Sequence, residues 1–389
     1  MIKQLAAFVF TAALVLSSGA AHAENDEVDQ DSALRSYYSA NGLLNRGLYE
    51  LAAAEYRSFL DAHGDHEKAP EARYGLGVCL YRTGQYEQTI TELELLGDHP
   101  DTPYLVEVLT ILGQCHLSQK DYEAASDCLA VVVQQHADHG LADDAAVLLA
   151  EALYHRGEYE QTERTCGLFS NRWPDSPLRE RADLLAGLAL MARGKYPEAA
   201  EGLRDMLQRF PEGAYSDHAN LLLAQCLHHS NALREAVAQY QDVIGRANRQ
   251  FLPDALYGVA GALHQLNQHE AAGELVDQLR ELFPEDELIP PASLLRGRIW
   301  LALEDYPKAR TELDRLVENE EGVREAALYW RAKCDLKAAN PEAAAELLEQ
   351  ALREFPKGEL AAEIIFDWAV ALSRSEKTEE AIEQWEQFR

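Results

Sequence analysis

A short turn of the form basic-Gly-x-Tyr-x-x-Ala, complete at Arg193-Gly194-Lys195-Tyr196-Pro197-Glu198-Ala199, returns along this 389-residue chain at nearly constant spacing. It recurs as Gly47-Leu48-Tyr49, Gly84-Gln85-Tyr86, Lys120-Asp121-Tyr122, Gly157-Glu158-Tyr159 and Glu304-Asp305-Tyr306. Weaker copies sit at Leu233, His269, Pro341 and Thr378, so ten marker positions follow one another at steps of 35 to 37 residues. A fixed period of that size predicts a helical-repeat array, in which each unit buries its apolar face against its neighbours. The sparse β-branched residues and the abundance of Ala, Leu and Glu suit an all-α chain.

The fifth period shows how one unit is written. Asp175-Ser176-Pro177 reads as a helix start, with Asp or Ser capping and Pro in the first turn. Leu184, Leu185, Leu188 and Leu190 form the apolar stripe of a first helix, A. Gly187 in mid-helix costs roughly 1 kcal/mol against Ala, which is reasonable where a neighbour must approach closely. Gly194 ends helix A, Tyr196 wedges into the turn and Pro197 opens helix B, whose inward face is Ala199, Ala200, Leu203, Met206 and Leu207. Phe210-Pro211 closes the unit, because the residue before proline is pushed out of the helical region.

These units resemble tetratricopeptide repeats. Gly77, Gly113, Gly187 and Gly297 stand at that family's small helix-A position, with Ala in most other units. Ala52, Ala125, Ala199, Ala236, Ala272, Ala309, Ala344 and Ala381 stand at the small helix-B position, where Thr89 and Thr162 replace Ala. Pro174, Pro211, Pro284 and Pro356 each follow that position by twelve residues. The resemblance implies a right-handed superhelical solenoid of about ten helix pairs over residues 32–389. The long Phe-Pro linkers at Phe210-Pro211 and Phe283-Pro284 are similar to those of the bacterial envelope subclass, the Tol-Pal-associated and outer-membrane-assembly components. In the second half the turn loses its tyrosine at Leu233, His269, Pro341 and Thr378, which predicts looser or altered curvature there.

Residues 1–23 read as a secretory signal: Lys3, the apolar run Leu5 to Leu16, then Ala21-His22-Ala23 as a cleavage site. The run is too short to span a bilayer, so a soluble exported protein is expected, with no membrane insertion. Residues 24–31 are acidic and lack periodicity, and they read as a disordered lead-in. The sequence holds 66 acidic against 35 basic residues, a net charge of −31. That balance disfavours nucleic acid and anionic membranes, and it favours protein partners that offer basic or apolar segments.

Residues that carry chemistry elsewhere have simpler roles in this pattern. Cys79, Cys115, Cys226 and Cys334 each follow the small helix-A residue by two positions. Equivalent positions of adjacent units lie about 10 Å apart, beyond the roughly 7 Å that a disulfide spans, so buried thiols are expected. Cys115–Cys128, within one unit, is the single bridge left open. His63 with His66, His136 with His139, and His228 with His229 are local pairs that no second pair joins at metal-ligand spacing. The sequence has no nucleophile elbow, Walker loop, Rossmann fingerprint or His-Glu-x-x-His, and no enzyme, cofactor or metal site is expected.

In the family that the units resemble, the concave groove is lined by helix A. Carried over, this places Glu71, Tyr74, Val78 and Tyr81 in one unit, and Glu107 with Gln114 in the next. Asp144, Glu151 and Tyr154 follow, then Leu184, Leu188 and Met191. Gln225, His228, Asp254, Tyr257, Arg298, Tyr329 and Lys333 complete the row. Tyrosines among scattered acids suit an extended or helical partner segment, although the same rings could only pad the interior. The family's clamp for C-terminal carboxylates needs Lys and Asn where this protein has Tyr, Gln, Glu and Leu. A second expectation is architectural: the last repeat, with Ala381, Ile382 and Trp385, lacks a polar capping helix, so it either self-associates or continues into a longer polypeptide.

Overall fold

The computed structural model describes residues 23–97, 104–377 and 379–382. The expected signal segment up to His22, the marker Thr378 and Trp385 lie outside the described residues. Among the described residues every regular element is helical, and the helices come in antiparallel A and B pairs. The chain divides into two compact units at Arg193/Gly194.

Unit 1 holds α1 (Ala23–Asn45) with α2 (Tyr49–His63), α3 (Ala69–Arg82) with α4 (Tyr86–Gly97), and α5 (Leu105–Ser118) with α6 (Tyr122–Gln135). It ends with α7 (Ala142–His155), α8 (Tyr159–Arg172) and α9 (Arg179–Ala192). Unit 2 opens on α10 (Tyr196–Arg209) and continues with α11 (Ser216–His229) and α12 (Leu233–Arg246), then α13 (Leu252–Gln265) and α14 (His269–Leu282). It closes with α15 (Ile289–Ala302), α16 (Tyr306–Asn319), α17 (Arg324–Lys337), α18 (Pro341–Glu354) and α19 (Ala361–Arg374). Nine marker residues, from Tyr49 to Pro341, are the first residues of the B helices.

The turn that precedes each marker has one backbone throughout. The residue two before each of the ten markers is left-handed, with φ between 59° and 77°. Glycine fills it at Gly47, Gly84, Gly157 and Gly194, whereas Lys120, Asn231, Asn267, Glu304, Ala339 and Glu376 adopt it without glycine. A six-residue backbone bond locks the turn, as from Glu158 N–H to Leu153 C=O (2.9 Å) and from Ala232 N–H to Leu227 C=O (2.9 Å). At Leu233, His269 and Pro341, where the tyrosine is lost, the turn keeps this backbone and this bond. The bond is made by the backbone, so it survives the loss of the tyrosine.

The small residues do what their spacing predicts. The helix-B alanines from Ala52 to Ala344 are fully buried, as are Thr89 and Thr162. Each threonine hydroxyl donates back to the carbonyl four residues earlier, so neither is buried unsatisfied. On helix A, a β-carbon at Gly113 would meet Leu129 Cγ at 2.5 Å, and one at Gly297 would meet Leu313 Cδ2 at 2.7 Å. The close approach is therefore a leucine of the same pair's B helix lying across helix A.

The A helices are enclosed far more than the B helices. Nine of fourteen residues are buried in each of α5, α7 and α11, against four in each of α6, α8, α10 and α14. Successive A helices touch one another from α1 to α9 and from α11 to α17, and among the described residues successive B helices make no contact of that extent. Two rows spaced unequally must bend, so within each unit the A row lies on the inner side.

α1 runs from Ala23 through the acidic stretch 24–31. Two local expectations are resolved. Asp175 and Ser176 do not cap α9, which starts at Arg179 without a side-chain cap. The Ser176 hydroxyl instead accepts from Leu178 N–H (3.1 Å) and donates to Asp143 (2.7 Å), tying the linker to the preceding repeat. Cys115 and Cys128 are free thiols and form no bridge.

A candidate binding face on the A helices

In unit 1 the sequence-predicted face residues are half-buried along α3, α5, α7 and α9, except Leu184, which is buried in the core instead of lying on the face. Tyr74 stacks flat on Tyr104 of the next repeat, with centroids 4.6 Å apart and planes 9° from parallel. Tyr81 packs on Tyr86 (6.1 Å) and Tyr154 on Tyr159 (5.5 Å). Both contacts join the end of helix A to the marker five residues later, so these rings brace the turn as well as facing outward. Glu151 is ion-paired to Arg181 across one repeat. Burial and the neighbouring Asp143 push the Asp144 carboxyl above its ordinary range. Gln114 buries its side-chain oxygen without a donor among the described residues. Leu188 and Met191 are half-buried on α9.

In unit 2, Gln225, Tyr257 and Arg298 are half-buried on α11, α13 and α15. The Arg298 guanidinium lies over the Trp330 indole of α17, 4.6 Å from its centroid. Burial lowers the Arg298 pKa and raises that of Tyr257, and each group feels the charge of the other. His264, two turns further along α13, is pushed down to about 4 by burial, then by Arg298 and His269. Tyr329 is not an open ring: it is buried, and its hydroxyl donates to Asp367 (3.0 Å), which also accepts from Lys333 (2.8 Å).

Sequence reasoning missed Tyr104, Trp330 and Asp367. Tyr104 and Trp330 each neighbour a predicted residue on the preceding A helix, roughly one period away. Adding neighbours one repeat along would have found them.

Other candidate groups are placed plainly. Burial raises the thiols of Cys79, Cys115, Cys166 and Cys226 to about 12 and that of Cys128 to about 11, so none is a ready nucleophile at neutral pH. His63 and His66 lie against the Phe59 ring. Two histidines join repeats by stacking on the marker tyrosine 33 residues earlier: His155 on Tyr122 (4.7 Å) and His229 on Tyr196 (4.5 Å). No described helix is long and apolar enough to cross a membrane.

Comparison with known proteins agrees with this architecture. One tetratricopeptide repeat model matches residues 39–101, 233–287 and 294–359, and a second matches 190–251. No curated protein matches the chain. Among solved structures, a tetratricopeptide repeat protein from Parabacteroides merdae shares 13% identity, with a TM-score of 0.53 over 69% of this chain and 98% of its own. PilW, a type IV pilus biogenesis factor, matches at 17% identity and TM-score 0.49, over 58% of this chain and 100% of its own. PilF of Pseudomonas aeruginosa matches at 16% identity and TM-score 0.44, over 57% of this chain and 95% of its own. With ten turns of one backbone, small residues at the packing positions and repeat matches over more than half its length, this chain belongs to the tetratricopeptide repeat family.

Proposed function

We propose that the chain is an exported, non-catalytic protein-interaction scaffold of the bacterial cell envelope. It holds a partner segment along the A-row face of each unit. The observation that carries this reading is the uneven use of the two helix rows. The B helices bury one stripe and turn charge to solvent, as an outer layer does. The A helices are enclosed on most sides, yet Tyr154, Met191, Gln225, Tyr257 and Arg298 stay part-exposed on them. Such side chains, set along enclosed helices, suit the recognition of a polypeptide segment laid across them.

Residues 1–23 act as the export signal, cut after Ala23, and residues 32–389 form the array. In unit 1 the face carries Glu107, Asp144 and Glu151, so basic or apolar partner segments suit it. The experiment is photocrosslinking in bacterial cells, with the reactive residue at Gln225 or Met191 on the A row or at Leu168, exposed on the B row. Protein adducts from the A-row sites alone are the expected result. Adducts from Leu168 alone, or from no site, overturn the reading of the face. Mass spectrometry tests export separately: the mature protein should begin at Glu24, and an uncut cytoplasmic product overturns it.

A further inference from the structure

One repeat braces its turn with two imidazoles. The brace joins the end of helix A to the marker five residues later, and it is a pair of tyrosines at Tyr81 with Tyr86 and at Tyr154 with Tyr159. In unit 2 the same two positions hold His264, on the last turn of α13, and His269, the first residue of α14. Across the ten repeats no other turn has histidine at both, and His228, one repeat earlier, is followed by Leu233. His264 Nδ1 lies 3.1 Å from His269 Nδ1, with the ring centroids 4.9 Å apart. Both rings are half-buried, so each keeps access to solvent. Left-handed Asn267 (φ 60°) and the bond from Gln268 N–H to Leu263 C=O (2.9 Å) fix the backbone between them.

Two neutral imidazoles that meet through the same nitrogen share one hydrogen, so one Nδ1 donates and the other accepts. When the donor ring carries its hydrogen on Nε2 instead, both Nδ1 lone pairs are free and no proton is gained or lost. Metal–imidazole bonds are about 2.0–2.1 Å long, so an ion held by nitrogens 3.1 Å apart subtends roughly 100° between them. That angle lies between the octahedral and the tetrahedral, and a turn of each ring about its broad terminal torsion swings the lone pairs onto the ion. Imidazole suits zinc, copper and nickel, whereas magnesium and calcium prefer oxygen. Among the described residues no group of three or more His, Cys, Asp and Glu side chains is placed to hold an ion, so water fills the remaining positions and the ion stays exchangeable. Two fields act on it. Arg298, the cation that His264 feels most, opposes a positive guest, and the net charge of −31 favours one.

We infer that His264 and His269 form a two-nitrogen site for a late divalent transition ion (zinc, nickel or copper) that clamps the end of α13 to the start of α14. The site needs no partner peptide, so it holds whatever the A-row face binds. The folded turn presents both nitrogens together and the unfolded chain does not, so the ion stabilises this repeat by mass action.

The test is isothermal titration of the full-length, metal-free protein with zinc and with nickel, and with magnesium as the hard-ion comparison. Wild-type protein is run beside His269→Gln and beside the double variant His264→Tyr with His269→Tyr. The double variant rebuilds the tyrosine brace of Tyr81 and Tyr86 without a ring nitrogen, so the turn keeps its support. The wild type should take up one more zinc or nickel ion per chain than either variant, and magnesium should show no such difference. Equal uptake of zinc and nickel by the wild type and the double variant overturns the site, because the ions then bind elsewhere on the chain.

Copper reports the ligands directly. The part of the Cu2+ electron paramagnetic resonance spectrum that the double variant loses should show splitting from two nitrogens. A lost part with one nitrogen or none overturns the site. Zinc should also raise the melting temperature of the wild type more than that of the double variant. An equal rise in both, or no rise in either, overturns the clamp.

Discussion

At the scale of single residues, the left-handed turn positions carry the clearest energetic signature. A side chain with a β-carbon held there costs roughly 1–2 kcal/mol, while glycine loses about 0.5–1 kcal/mol of chain entropy. Ala339, with φ 62°, has no polar group to offset that cost. Ala339→Gly should therefore stabilise the protein by about 0.5–1 kcal/mol in urea unfolding. Asn231 and Asn267 tolerate the same backbone better, so glycine there should gain less. His264 makes the second residue-scale prediction. Its folded pKa of about 4 lies below the ordinary value near 6.5, so the unfolded chain binds more protons between those two values. Stability should be level above about pH 6.5 and fall as pH drops towards about 4. His218 and His228, also lowered by burial, act in the same direction. Thermal melts at pH 7.5 and 5.0 should show a smaller acid loss for His264→Gln than for wild type.

At the scale of elements, the unit of construction is an A helix crossed by one B-helix leucine. Leu129 is fully buried against Gly113, so it cannot swing aside for an added β-carbon. Overpacking of about 1–3 kcal/mol should outweigh the roughly 1 kcal/mol that alanine gains in helix propensity. Gly113→Ala should therefore destabilise the protein by about 1–2 kcal/mol. Leu129→Ala alone should cost about 2–5 kcal/mol, and the double variant should lose less than the sum. A double-mutant cycle with no coupling would contradict the contact. Much of this layer was legible in the sequence. Marker residues fall on the first residue of nine B helices, and the small helix-B residues are the buried ones, because both signals repeat in every unit. The left-handed turns without glycine were not legible: the bond that holds them is backbone to backbone and needs no particular side chain. The stacking of Tyr74 on Tyr104 and of Arg298 on Trp330 was hidden for another reason. Those partners lie 30 and 32 residues apart, so their meeting depends on the step from repeat to repeat, which a pattern read one unit at a time does not contain. Ser176 was misread because its hydroxyl serves the preceding repeat, not the helix that follows.

At the scale of the whole molecule, stability is a sum over neighbours. Within each unit, contacts run from each helix to the next and between A helices of adjoining repeats, so each unit is a run of small cores and not one large one. Urea unfolding should accordingly be broader, with a smaller slope, than a two-state transition of a 389-residue globule. A single steep transition, equal by fluorescence and circular dichroism, would count against this.

The turns also set an order of opening. Three of the four left-handed turns in unit 1 are glycine, at Gly47, Gly84 and Gly157. Of the six turns that precede a marker in unit 2 only Gly194 is glycine, and the three of them that carry neither glycine nor asparagine are the last in sequence order, at Glu304, Ala339 and Glu376; Ala247, also left-handed, ends α12 outside this set. Each such turn shifts its own repeat towards the open form, and in a nearest-neighbour array those shifts stay local. Amide exchange should therefore be fastest from α15 onward and slower in the glycine-turned repeats α3–α4 and α7–α8. The molecule would come apart like a zip pulled from one end, and glycine at Glu304, Ala339 and Glu376 should slow the pull without touching a single residue of the A-row face.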